Sequence, residues 1–153
     1  MNFDLIQPAI KTLLDAHPAF SAVPVAVLED DGTYPKTPGR EAALADKGLV
    51  LIVWQVDGET TTDSVFSGFS VGDLYVPVVV EENVKICRAV GGANLLAEKA
   101  VQHVIEACCG KPVSVPLHRR IHLLDQPFKN FGKVNGVQRI VVNLAMPFHV
   151  SPI

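Results

Sequence analysis

Four groups of residues carry side chains capable of chemistry. His118 and His122 stand four apart, the spacing that sets two imidazoles on one helical face to hold a metal. Cys87, Cys108 and Cys109 could supply a thiolate nucleophile or soft metal ligands. Glu81 and Glu82 could act as an acid and a base. Gly91-Gly92-Ala93-Asn94 lies between an apolar β-branched run and a helical pattern, the order strand, glycine, helix that many phosphate cradles share.

None of these groups completes a constellation. The segment His118-Arg119-Arg120-Ile121-His122 lacks the glutamate of HExxH, and Pro116 and Leu117 ahead of it favour strand or loop, so ordinary surface histidines are expected. The cysteines include no CxxC pair, and three thiols leave one over in any disulfide scheme. Free thiols are expected, Cys108 packing as a small hydrophobe. No orienting partner can be named for a Cys87 nucleophile. Neighbouring strand residues point to opposite faces, so Glu81 and Glu82 cannot flank one substrate bond, and a solvated strand end is expected there. The glycines fit neither GxGxxG nor GxxxxGK[ST], and two carboxylates precede them; a turn with Asn94 as helix cap is the simpler expectation. No catalytic, cofactor-binding or metal residue is assigned.

Composition narrows the class. A chain of 153 residues, 48 per cent hydrophobic, fits one domain spanning residues 1–153. Mean hydropathy is +0.28, too apolar for disorder, yet no apolar run reaches membrane-spanning length. The N-terminus shows no export signal, which implies a cytoplasmic origin. A formal charge of −3 argues against a general phosphate-backbone binder, and the one basic knot is His118-Arg119-Arg120.

The elements that would position these residues follow from periodicity. Phe3, Ile6, Ile10, Leu13 and Leu14 predict a helix over about 5–16, ended by His17-Pro18. Val23–Leu28 reads as a short strand, and 30–40 as a polar surface loop. Leu49–Val56 and Leu74–Val80 read as partner strands, with Pro77 at an edge or bulge. Between them, 57–72 reads as a long loop or β arm carrying Val65, Phe66 and Phe69, three apolar residues that need a partner surface. Leu96, Ala97, Ala100, Val101, Val104, Ala107 and Cys108 share the inward face of a second helix over Leu95–Cys109, closed by Gly110. Leu117, Arg119, Ile121 and Leu123 could share one face of a further strand. Asn135-Gly136 predicts a tight hairpin turn, after which Ile140, Val142, Leu144, Met146 and Phe148 alternate inward. The sum is an α+β fold: a mainly antiparallel sheet with two helices packed on one face.

The stretch VVVEENVKICRAVGG, followed by LLAEKAVQHVIEACCG, resembles the tail terminator and related minor tail proteins of long-tailed phages and prophages. In those chains a strand ends in a Glu-Asn turn, then come an Arg-bearing segment, a Gly-containing link and an amphipathic helix ending near Gly. Glu82, Asn83, Arg88, Gly91 and the Leu95–Cys109 helix match that order. Cys87 stands where an Asn commonly precedes the Arg, and Gly91-Gly92-Ala93 replaces a Gly-Thr-Gly link. The resemblance implies a structural protein and no enzyme: a ring subunit, hexameric in the family, that caps the tail tube and joins tail to head. Tail-tube and head-completion proteins would be its partners, without membrane, cofactor or sequence-specific nucleic acid. It would reside in the host cytoplasm during assembly and then in the virion tail. Val65, Phe66, Phe69, Arg119 and Arg120 are the candidate interaction residues. The alternative is a small cytoplasmic α+β enzyme or ligand-binding domain using His118, His122 or Cys87.

Overall fold

The computed structural model describes residues 5–27, 29, 30, 35–37, 39–61, 70–113 and 120–150. In chain order the elements are α1 (Ile6–Asp15), a 3-10 turn (Pro18–Phe20), β1 (Val25–Val27), β2 (Glu29–Asp30), β3 (Pro35–Lys36), α2 (Arg40–Asp46), β4 (Leu49–Val53), β5 (Asp57–Thr61), β6 (Ser70–Asn83), α3 (Val84–Cys87), α4 (Ala97–Cys108), β7 (His122–Val134) and β8 (Val137–Val150).

Continuous apolar runs form the middle of the sheet, because a strand covered on both faces has no polar side. All five residues of β4 are buried, as are Val78, Val79 and Val80 of β6. The strand order is β1-β4-β6-β8-β7, and β5 pairs with β6 beyond β4. All pairings in this sheet are antiparallel except β1 with β4, which is parallel. The fold is α+β. Strands β2 and β3 form a separate two-residue ladder.

Pro77 sits in the central strand, where a missing donor should be harmful. Its carbonyl accepts from Trp54 N at 2.8 Å, and a strand residue directs N–H and C=O to the same neighbour. The missing N–H therefore faces residues 54–56, the break between β4 and β5. A proline expected at an edge or bulge is tolerated centrally because the partner strand is interrupted opposite it.

Two layers of helix cover the sheet. On one face α1 and α4 pack together, Ile6, Ile10 and Leu14 meeting Ala100, Val104 and Cys108 above Val78, Val80, Ile140, Val142, Leu144 and Met146. Their periods of three and four place these side chains inward. Leu96 departs from its expected role: it is the residue before α4 and is exposed, because its backbone has not yet entered the helix. On the opposite face the unforeseen α2 lays Ala43 and Leu44 over Val50, Ile52 and Val79. Seven residues of helix cover only part of that face.

The Asn135-Gly136 turn forms as expected, both residues at positive φ (52° and 79°), and sets Val134 opposite Val137. The expected β arm exists at its base, Thr61 pairing with Val71. Val65, Phe66 and Phe69 lie outside the described residues. So do His118, Leu117 and Arg119; the strand there begins at His122, with Ile121 buried ahead of it.

Candidate functional site

The expectation of a solvated end at Glu81 and Glu82 is overturned. Strand β6 runs between β4 and β8 through this point, with Val50 and Arg139 flanking Glu81 and Leu49 and Gln138 flanking Glu82. Both carboxylates are buried, at 1 and 0 per cent exposure. They do point to opposite faces, and their surroundings differ.

Glu81 faces the α2 side. Arg40, the first residue of α2, donates from Nε to Oε1 at 2.6 Å and from Nη2 to Oε2 at 2.7 Å, a forked pair that fixes both planes. Arg139 adds an Nη2 donor to Oε2 at 3.4 Å. Burial alone would push the Glu81 carboxyl up, but the Arg40 hydrogen bonds and charge, helped by Arg139, hold it below the ordinary glutamate value. The same contact raises the Arg40 guanidinium above its usual range.

Glu82 faces α4. Neither oxygen accepts a hydrogen bond among the described residues, and Arg88 Nε stands 3.5 Å from Oε1. Its cross-strand neighbour Gln138 is turned to Glu98 at the start of α4, donating at 3.1 Å.

Beside the Glu81 pair the sheet face opens into a trough. A cavity of about 460 Å³ is lined by Arg40, Glu81, Phe131, Val134, Val137 and Arg139. A second, of about 210 Å³, adjoins it through Phe131 and Arg139 and runs over Trp54, Val79 and Val141. The outer wall is β7, which pairs only with β8 among the described strands. Nearly all of β7 is exposed, including Phe128 (52 per cent), Phe131 (54 per cent) and Val134 (69 per cent). Register shifts at Leu123/Phe128 and Asn130/Gly132 interrupt its ladder; at the second, Asn130 Oδ1 accepts from Gly132 N at 2.8 Å. Such bulges re-aim side chains, and Phe131 stands over the trough.

Among the described residues, those singled out for chemistry are not brought together; His118 lies outside them. Cys87 is buried, and its thiol donates to Leu95 O at 3.2 Å; burial pushes it up, away from the thiolate a nucleophile needs. Burial pushes Cys108 up to about 12 and Cys109 in the same direction. His122 is exposed on β7 opposite Ala145. Arg120 donates to Gly110 O and bridges Pro112, clipping the α4 exit to the start of β7. Asn94 does not cap α4. Asn83 instead caps the four-residue α3, accepting from Ile86 N. Gly92 answers a packing need: a Cβ there would overlap the Ile86 and Cys87 carbonyls.

One unforeseen cluster joins the 3-10 turn after α1, which His17 caps, to α4. His17 Nε2 and His103 Nδ1 meet Glu106 Oε2 at 3.2 and 3.0 Å, the rings 5.0 Å apart. The donor set suits a divalent cation. However, His17 Nδ1 accepts from Ala19 N at 3.2 Å, which leaves the neutral ring's proton on Nε2, the atom a cation would require. The cluster therefore ties two helices together.

No protein-family model matches the chain, and no curated protein matches it in sequence. Among the described residues no helix is long and apolar enough to cross a membrane. The site with the strongest claim to function is thus the β7 wall and the trough behind it. Sequence reasoning missed it because Phe128, Phe131 and Val134 follow no two-residue alternation. The available signal was the apolar run Val76–Val80 leading straight into two carboxylates, which implies a central strand whose acids need cationic partners.

Proposed function

We propose that this chain is a structural assembly protein, a ring subunit of the phage-tail terminator kind that closes a tail tube and joins it to the head. The observation that carries this reading is β7. It is a thirteen-residue strand, paired on one side among the described strands, with two phenylalanines and a valine more than half exposed. Proteins that stay monomeric blunt such edges with charge, proline or a covering element. Here Pro127, Asp125, Lys129 and Lys133 interrupt the strand and Lys129 Nζ lies over the Phe131 ring, 5.0 Å from its centroid, yet Phe128, Phe131 and Val134 all stay more than half exposed.

A ring requires a heterologous contact, in which one surface of each subunit meets a different surface of the next. The β7 wall and trough would be one of these surfaces. The ladder of β5 with the start of β6, between which Val65, Phe66 and Phe69 lie in sequence, is the second candidate. Tail-tube and head-completion proteins would then meet the two ends of the ring.

Negative-stain electron microscopy of the purified chain tests the proposal. Closed rings of uniform size, hexameric by the family resemblance, are expected. Particles of single-subunit size across the accessible concentrations would reject it.

A further inference from the structure

At the deep end of the trough two guanidinium groups face one carboxylate. Arg40 spends its Nε and Nη2 on Glu81, and Arg139 reaches the same carboxylate with Nη2 alone. Arg139 Nε and Nη1 donate to nothing among the described residues, and its side chain is 49 per cent exposed toward the cavity it lines. We infer that Arg139, with Arg40 beside it, is an oxyanion site that receives a carboxylate side chain from the protein packed on β7.

This inference rests on β7 being an assembly surface, and it names the chemistry of the partner there. Three features support a carboxylate. The site is built, since the buried Glu81 holds both arginines in place from beneath, and a guanidinium so fixed loses little freedom when it binds. At the deep end, Glu81 set against Arg40 and Arg139 leaves one positive charge, matched by a monoanion; Lys129, paired with Val141 on the trough face and with its Nζ 5.0 Å from the Phe131 ring centroid, adds a second cation beside the aromatic wall. Glu41, exposed in the first turn of α2, adds a weaker negative field on Arg40, so phosphate is carried as a competing probe in the test. Lys133 does not alter the balance, because it alternates with the trough-lining Gly132 and Val134 and acts on Glu98 on the far face. Finally, Phe131, Val134 and Val137 wall the cavity, so the carboxylate should arrive on an apolar stem or beside an apolar residue.

The test uses the whole chain, diluted until sedimentation shows single subunits so that β7 is uncovered, and three probes: acetyl-Phe-Glu-amide, acetyl-Phe-Gln-amide and inorganic phosphate. Binding is followed by NMR at the Nε–Hε signals of Arg40 and Arg139. The glutamate probe is expected to shift Arg139 Nε–Hε and to bind about tenfold or more tightly than the glutamine probe, the effect of a hydrogen bond between charged partners. Arg139→Gln should abolish that preference; Arg139→Lys, which keeps a cation beside Glu81 and protects the fold, should retain only part of it. Equal binding of the two peptides, an unchanged preference in Arg139→Gln, or phosphate binding as tight as the glutamate probe would overturn the inference. Sedimentation of the same chain across concentrations separates the two ideas. A chain that stays monomeric at every concentration and prefers the glutamate probe removes the ring reading and keeps the site, whereas a chain that assembles when concentrated but shows no preference as a dilute monomer does the reverse.

Discussion

Glu81 and Glu82 are adjacent, both buried, and expected to behave oppositely when replaced. Glu81 forms a forked pair with Arg40, so Glu81→Met leaves a guanidinium about one-third exposed and without its partner. The expected loss lies toward the lower end of the roughly 3–5 kcal/mol for breaking a buried pair. Glu82 accepts no hydrogen bond among the described residues, and Arg88 is half exposed and stays hydrated without it. Glu82→Met should therefore be within about 1 kcal/mol of the parent or more stable. Urea titration decides; equal losses would contradict this account of the two sites. The pH dependence has a definite sign. Because the folded Glu81 carboxyl lies below its ordinary value of 4.5, its stabilising contribution is complete above that value and disappears as pH falls through the lowered one. Glu81→Gln should flatten this acid limb, and an unchanged limb would show that Glu81 is not its source. The thiols give a further test at this scale. All three thiols are pushed up by burial, but Cys87 and Cys108 are also closed off while Cys109 is partly exposed, so only Cys109 should react, and slowly, with a thiol reagent in the folded chain near neutral pH. Rapid labelling of Cys87 in the folded state would revive a nucleophilic role.

At the scale of elements, α4 gives the cleanest prediction. Val104 is fully buried against the sheet and Gln102 is exposed. Val104→Asp should lose more than about 3 kcal/mol, a carboxylate being buried without a partner, while Gln102→Asp should stay within about 0.5 kcal/mol. Equal losses in urea would mean that the helix presents another face. This face was legible in the sequence because Ala100, Val104 and Cys108 repeat at four over three turns, and α1 was legible for the same reason. The β8 alternation and the Asn135-Gly136 turn were legible through two-residue periodicity and positive φ. Helix α2 was not: REAALAD is shorter than the window in which a period of 3.6 can be recognised, and it follows a segment punctuated by glycine and proline. Strand β7 was read only at its ends, from the possible strand reaching Leu123 and from the arm that enters the Asn135-Gly136 turn; its middle was not, since a strand exposed along nearly its whole length carries no burial pattern to betray it.

The candidate site was hidden by the same gap at the scale of the whole molecule. That Glu81 and Glu82 face opposite ways could be read from the chain, and the apolar run before them hinted at a central strand; what covers them could not be read, because α2 and β8 arrive beside β6 from distant parts of the sequence. The apolar wall of β7 likewise acquires meaning only once the sheet order leaves it outermost among the described strands, with the trough behind it. The central claim is that this wall joins one subunit to another. Sedimentation equilibrium of the parent chain and of Phe131→Glu, compared across a wide range of concentrations, tests it most directly. Phe131 is more than half exposed and its replacement should leave the fold intact. The account predicts a closed oligomer for the parent and a folded monomer for Phe131→Glu. A parent that remains monomeric, or a variant that assembles as the parent does, would contradict it.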